Sequence, residues 1–510
     1  MTHASTAKRQ LETLVAAQGL VLEHPPDVME EVAALVADPG IDDASLRDLT
    51  PLPFCTIDEP TSKDLDQALF VETSPTGWVV WYAIADAAWF VRPGTALYRE
   101  ALARGATYYL PGLVIPMLPK ELSEDLVSLN PEVDRRAMVF RMEVHADGNR
   151  GDAEIVRARI RSQAKLNYGG VQQFLDGHIE RLMPTPQGDE SLRLLREVGL
   201  ARMHHAHQRG VVSYRRTEVD AGLQGARFVA VGGTRHATER YNEQISLLCN
   251  RVGAAFLGAQ TAGHVEPIYR VHEAPGARRL DALRSQIAAL VSRHRCDEAV
   301  WLWRSEERLS TYLDRLPEGR LARAVHRQAI LTNHPGRFQS ERAGHHGVGA
   351  EAYARFSAPM REIVGVFLHH ELWEAKAGAP LSPTWGQGEV VARANASTRL
   401  QGQLTAQSNR LILDQLFEDR RGPWKATVMG ITRSKIHLQL DEPPIDVKVY
   451  LRHQESDGRL AAHEDGTAVI LQGDGGVVWR VGDAVLATVR GRDPKADRWR
   501  LQLEMPSEYR

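Results

Sequence analysis

The sequence predicts an α+β chain of several domains, and three observations carry that reading. Apolar residues fall at helical spacing over the first fifty positions, strand-like and helix-like runs mix through a long middle, and short, evenly spaced strand signals fill the end from residue 424. At 510 residues, with 43% hydrophobic and 25% charged residues, the chain has room for roughly two to four domains and is too apolar to be disordered. A formal net charge of −3 neither favours nor excludes a polyanion, so any nucleic-acid surface must come from local segregation of basic residues. Cys55, Cys249 and Cys296 have no C-x-x-C spacing, which argues against a disulfide framework or a zinc ribbon. No signal-like start and no apolar run of ~18 residues occurs, so a cytoplasmic protein without membrane association is expected.

Taken in order, Leu11, Leu14 and Val15, then Val28, Met29, Val32 and Leu35, predict helices over 4–17 and 26–37, with a third short element opening at Asp43. Three short helices within 1–50 make either a helix-turn-helix module or a helical cap on the next domain. Residues 54–57 and 68–71 read as strands, and Glu59, Pro60, Thr61 and Ser62 carry turn chemistry. Asp58, Asp64 and Asp66 are thereby gathered at the ends of two strands. Carboxylates ~4 Å apart repel by roughly 4 kcal/mol at an effective dielectric near 20, so a compensating cation is expected. Oxygen ligands, with no Cys or His set spaced to suggest zinc, suit Mg²⁺ or Mn²⁺. An acidic turn without an ion is the competing reading. An EF-hand is disfavoured, because the loop lacks the required Gly and Glu and is flanked by strands.

The middle then reads as a buried strand over 79–85 ending at Asp86, and a proline-punctuated scaffold over 107–119 leading to a helix near Lys120. Strands follow at 135–144 and 154–161, and helices at 187–209 and 236–262. A helical, arginine-rich stretch covers 277–331, a loop 377–388, and a helix 389–419 with Arg393, Arg399 and Arg410 exposed. Short strands at 425–431, 435–440, 447–451, 468–471, 477–480, 484–489 and 498–503 argue for a small barrel of the OB type. Lys435 and Arg452, beside Tyr450 and His453, give it a basic face on which bases can stack. The expected partition is 1–50, 51–419 and 420–510.

The stretch FCTIDEPTSKDLDQALFVE, from Phe54 to Glu72, resembles the metal-binding signature of the RNase II (RNB) family of hydrolytic 3′ to 5′ exoribonucleases, T-I-D, five residues, then D-x-D-D-A. Three of the four acids are present, and the fourth position is Gln67. Residues 107–129 are the longest near-continuous match, and 267–275 match the segment Y-R-V-H-x-x-P. His345 to Arg361 matches the second signature, H-F-G-L, a gap, and Y-x-x-F-T-S-P-I-R. The family often continues with R-x-x-D and H-R, where this chain has Gly365 and His369-His370. It also usually begins with two cold-shock-type OB barrels, for which ~50 residues are too few.

The resemblance implies an RNB-type mixed sheet-and-helix catalytic domain followed by an RNA-binding OB barrel. It implies processive hydrolysis of single-stranded RNA to 5′ mononucleotides, and no obligate protein partner is inferred. Asp58, Asp64 and Asp66 are the implied ligands of one or two Mg²⁺ ions, with Mn²⁺ as a substitute, and Asp66 and Arg361 the implied catalytic pair. Arg361 is expected to open a helix whose N–H groups and guanidinium face one phosphate. Tyr168 is the implied base-stacking tyrosine, with Arg270, His345, Tyr353, Arg361 and Lys435 along the RNA. Gln67 removes a negative charge and lowers the expected metal affinity. It motivates an alternative, an RNA-binding protein of the same fold with an attenuated or inactive nuclease site.

Overall fold

A computed structural model describes residues 3–506 except 216–218, 226, 233–234, 261–262, 264, 379–385, 455–457, 473–475 and 494–496. Its centre is a six-stranded sheet whose members, in chain order, are β1 (Arg47–Asp48), β2 (Phe54–Asp58), β3 (Gln67–Ser74), β4 (Gly77–Ala85), β5 (Asp134–His145) and β6 (Arg150–Asn167). Spatially the order is β1, β6, β2, β3, β4, β5, and β5 pairs again with β6, so the sheet closes on itself. The long β6 makes this possible: it runs antiparallel to β5 from Arg150 to Arg161, then parallel to β2 from Ser162 to Asn167. Only the part paired with β5 has the alternation that marks a strand in sequence, which is why the predicted strand stopped at 161.

Residues 79–85 are apolar throughout because helices cover what the sheet leaves open; Tyr82, Ile84, Phe70 and Phe140 are fully buried. Helices Pro186–Gln208, Ala237–Gly258 and Gln387–Asp419 fall close to where spacing placed them. Residues 261–262, at the predicted end of the second, and 379–385, within the predicted loop, lie outside the described residues. The helix expected near Lys120 is a π-helical run, Glu121–Leu126. A hairpin, Val219–Gln224 with Arg227–Gly232, carried no clear sequence signal.

One expectation is corrected. The first fifty residues do not make a helix-turn-helix, because their helices join different cores. His3–Ala17 buries Ala7, Leu11 and Val15 against Leu404, Ile412 and Phe228, whereas Pro26–Ala37 buries Val28 and Val32 in the main core. The third predicted element is a turn, in which Asp43 accepts from the Ser45 N–H at 2.9 Å and pairs with Arg136 at 3.2 Å. Packing also crosses the expected boundary at 420. Leu283, Ile287, Trp303 and Tyr312 of the helical stretch share one core with Val428, Leu438, Val485 and Leu503 of the barrel.

The barrel has five antiparallel strands, ordered Asp446–Tyr450, Lys435–Leu440, Trp424–Thr432, Ala484–Asp493 and Arg498–Glu504. A three-stranded sheet, Leu460–Ala462, Ala468–Leu471 and Val477–Arg480, completes an OB-type domain. No helix among the described residues is long and apolar enough to cross a membrane.

Candidate active site

β2 ends at Asp58 and β3 begins at Gln67, so the acids lie on the connection between neighbouring strands. The parallel pairing of β2 with β6 sets Asp58 opposite Asn167, which places Tyr168 one residue beyond it. Asn167 caps the helix Tyr168–Leu175 by accepting from the Gly170 N–H, and that fixes where the tyrosine leaves the sheet.

Asp58 accepts from the Glu59 N–H at 2.8 Å and from the Ser62 hydroxyl at 3.0 Å. Asp64 accepts from the Tyr109 hydroxyl at 3.3 Å. Burial raises its carboxyl above the usual range, Arg361 opposes the rise, and the charge of Asp58 adds to it. Asp66 is 2% exposed; one oxygen accepts from the Met360 N–H at 3.0 Å and the other from Arg361 Nε at 2.6 Å. Burial pushes the Asp66 carboxyl up to about 6 in spite of the adjacent guanidinium.

Arg361 does not open a helix as expected. The helix is Ile363–Ala377, with Glu362 as its cap, and Arg361 lies on the turn before it. The N–H groups there are already used: Met360 donates to Asp66, Arg361 and Glu362 to the Ala358 carbonyl, and Ile363 to the Gly105 carbonyl. What this turn presents to the site is therefore the Arg361 guanidinium and not a helix N-terminus.

Gln67 engages both ends of its amide. The Tyr82 hydroxyl donates to its oxygen, and its nitrogen donates to the Ser357 carbonyl. From the other side Asn250, fully buried, holds the same turn. Its oxygen accepts from the N–H groups of Phe356 at 2.7 Å and Ser357 at 3.1 Å, and its nitrogen donates to the hydroxyl oxygens of Tyr353 and Ser357, each at 3.0 Å.

A cavity of about 230 Å³ is lined by Asp58, Asp66, Gln67, Tyr168, Asn242 and Arg361. Arg361 also lines a second cavity, of about 510 Å³, together with Tyr109, Arg270, Phe338, His345 and Tyr353. A third, of about 830 Å³, shares His345 with the second and Arg235 with the first, and adds Arg202, Arg240 and Arg251. The three spaces adjoin, and their walls are rich in arginine.

Within them Arg270 stacks on Phe338 at 4.6 Å, and its Nη1 is buried with no hydrogen-bond partner among the described residues. Burial, with the nearby His272 and Arg270, lowers the His345 imidazole to about 4, so it is neutral at pH 7. Tyr353 is 4% exposed and its hydroxyl is held by Asn250, so it builds the cavity wall and offers no free ring for stacking. Lys435 lies apart from all three spaces, on the barrel, 5.3 Å from the centre of the Tyr450 ring; Arg452 and Arg498 flank the same ring.

Tyr109 is the site residue that sequence reasoning missed. It is 43% exposed between the buried Tyr108 and Leu110, with its hydroxyl on Asp64. Its neighbours Tyr108 and Leu110 are apolar or aromatic as well, so alternation gave no signal for it, and the surrounding prolines made the segment read as scaffold.

Among the described residues no three Asp, Glu, His or Cys side chains converge on a point that could hold a metal ion, and both oxygens of Asp66 are engaged by the Met360–Arg361 turn. The donor chemistry nevertheless fits a hard divalent cation, since every acidic side chain of this connection offers oxygen and the raised Asp64 and Asp66 carboxyls favour a positive neighbour.

Ribonuclease R of Vibrio cholerae is 27% identical to this chain over 94% of its residues, and the chain spans 60% of that protein's length. Exoribonuclease 2 of Escherichia fergusonii is 30% identical over 89% of this chain and 70% of its own length. The solved structure of Mycoplasma genitalium RNase R in complex with ribose methylated single-stranded RNA matches with a TM-score of 0.86 at 20% identity, covering 98% of this chain and 78% of that one, a likeness of fold. Residues 46–378, well over half of the chain, match the RNB domain, and the chain belongs to the RNB family.

Proposed function

We propose that the protein is a hydrolytic, processive exoribonuclease that degrades single-stranded RNA from its 3′ end to 5′ mononucleotides with Mg²⁺, or Mn²⁺ in its place. The observation that carries this reading is the meeting of Asp58, Asp66, Arg361 and Tyr168 on one small cavity that opens toward arginine-lined space. The names of the relatives, Ribonuclease R and Exoribonuclease 2, point the same way.

In this reading Asp58, Asp64 and Asp66 would hold the divalent cation, whose contribution is Lewis acidity at the scissile phosphate. Arg361, whose charge is sustained against burial chiefly by Asp66, turns its guanidinium to the non-bridging oxygens. Water adds to phosphorus, the P–O3′ bond breaks, and the leaving 3′ oxygen takes a proton, so the released nucleotide keeps a 5′ phosphate. Tyr168, on the cavity of Asp58 and Asp66, and the exposed ring of Tyr109, whose hydroxyl meets Asp64, stack on bases, worth ~1–3 kcal/mol each without regard to sequence. Arg270 supplies an unpaired N–H to a backbone phosphate, with His345 beside it, and Tyr353 supports that wall. The patch of Lys435, Arg452 and Arg498 around Tyr450 holds the strand farther from its 3′ end.

The test is a 5′-labelled single-stranded RNA incubated with Mg²⁺ or Mn²⁺. The label should shift stepwise to shorter products from the 3′ end, and Asp66→Asn should stop the shortening by at least ~100-fold, the scale of losing one preorganised charge contact. Tight binding by the wild-type chain with no shortening would instead support an RNA-binding protein with a silent nuclease site.

A further inference from the structure

Gln67 occupies the position at which the RNB signature carries a fourth acid, and its surroundings are built for an amide. The Ser357 carbonyl can only accept, so it needs an N–H donor, which a carboxylate lacks. The Tyr82 hydroxyl, buried with its ring, donates to the other end of the same planar group. Both polar ends of Gln67 are thus engaged by partners other than the three aspartates, and the side chain spans from β3 to the turn that bears Arg361.

That turn has few other attachments on this side. Asp66 takes the Met360 N–H and Arg361 Nε, and the Arg361 carbonyl accepts from the Thr107 N–H at 2.9 Å, two residues from Tyr109. Asn250 fixes its far side at Phe356 and Ser357. Gln67 closes the gap between these anchorages, at Ser357, four residues ahead of the guanidinium.

We infer that Gln67 is a positioning residue: its amide tethers the Ser357–Arg361 turn to β3, so that the departure from the family's acid exchanges a ligand for a tether. The guanidinium is aimed by this bond. Restoring a carboxylate here removes the only donor the Ser357 carbonyl has from β3 and sets a negative charge against it. The inference rests on the nuclease reading for its kinetic part and stands apart from it in its structural part.

Three variants test it in the full-length chain: Gln67→Glu, which keeps the shape and loses the donor; Gln67→Met, which keeps the length without charge; and Gln67→Asp, which restores the family's residue. Hydrogen–deuterium exchange of the 356–361 amides should quicken in Gln67→Glu and Gln67→Met while the rest of the sheet stays protected, a result that does not depend on activity. On labelled RNA both should lose kcat by roughly 10- to 100-fold with KM held within about threefold, the signature of a reacting group displaced by ~1 Å. Mn²⁺ titration of Gln67→Asp should show no additional ion. Unchanged exchange at 356–361, wild-type kcat in Gln67→Met, or a further Mn²⁺ ion together with raised kcat in Gln67→Asp would each overturn the tether. Inactivity of the wild-type chain would sink the nuclease reading alone and leave the exchange experiment to decide the tether.

Discussion

Tyr109 joins two roles that can be separated by substitution: its hydroxyl meets Asp64 and its ring is open to the cavity. Tyr109→Phe keeps the ring and should change KM for RNA by about threefold or less. Tyr109→Ala removes a stacking surface worth ~1–3 kcal/mol and should raise KM roughly 5- to 150-fold. Equal KM values for the two variants would show that the ring does not touch the substrate. Elsewhere, His369 and His370 are enclosed and hydrogen-bonded to the carbonyls of Phe356 at 2.9 Å and Val91 at 3.1 Å. Burial lowers them to about 3 and about 4, so both fold as neutral imidazoles. Below pH ~6.5 the unfolded chain takes up protons that the folded chain refuses, so stability is full above that pH and is lost as pH falls toward 4. At pH 5 the loss approaches ~2 kcal/mol per histidine. Thermal unfolding at pH 7 and pH 5 should show the drop, and His370→Gln should shrink the difference; an unaltered pH dependence in that variant would refute the assignment.

The turn from Tyr353 to Arg361 is the element on which the site depends, and Asn250 is its main support. Asn250→Ala leaves two buried N–H groups and two hydroxyls without that partner and should destabilise the protein by ~2–4 kcal/mol. Urea unfolding measures this, and a change below ~1 kcal/mol would mean that water replaces the amide without difficulty. The same element shows where reading from sequence stops. Arg361 was expected to open a helix, yet the helix starts at Ile363, and the turn before it is held by Asp66, nearly 300 residues earlier, through the Met360 N–H and the Arg361 guanidinium. Gln67 was read as a weakened ligand for the same reason: its partners, Tyr82 and Ser357, are remote in sequence, and no local pattern points to them. Most strands of the barrel were legible to within a residue or two, since alternation and turn residues specify them locally, but Leu460–Ala462 was missed and Ala484–Asp493 runs four residues past its predicted end.

At the scale of the whole molecule a net charge of −3 hides a strong local segregation, for Arg202, Arg235, Arg240, Arg251, Arg270 and Arg361 all line the three adjoining cavities. Binding of single-stranded RNA by the Asp66→Asn protein should therefore depend steeply on salt. With about four to six phosphates neutralised, at ~0.7 in log–log slope each, affinity should fall roughly 50- to 300-fold between about 50 and 200 mM salt. A slope near zero would place the RNA away from these cavities. Packing also crosses the expected divisions of the chain: the helices over 277–331 share the barrel's core, and the two N-terminal helices serve separate cores. Spacing shows that a helix has an apolar face and says nothing of what will cover it.

The sequence by itself determined the family, the three aspartates and the arginine that answers them, and most helices and strands, because each of these is written in residues close together along the chain. Only the tertiary structure decided which side chains share a cavity, that Tyr109 belongs among them, that Gln67 spends both ends of its amide on Tyr82 and Ser357, and which core each helix enters. Those outcomes rest on contacts between residues tens to hundreds of positions apart, set by the closing of the sheet and the register of its strands, and local periodicity carries no information about them.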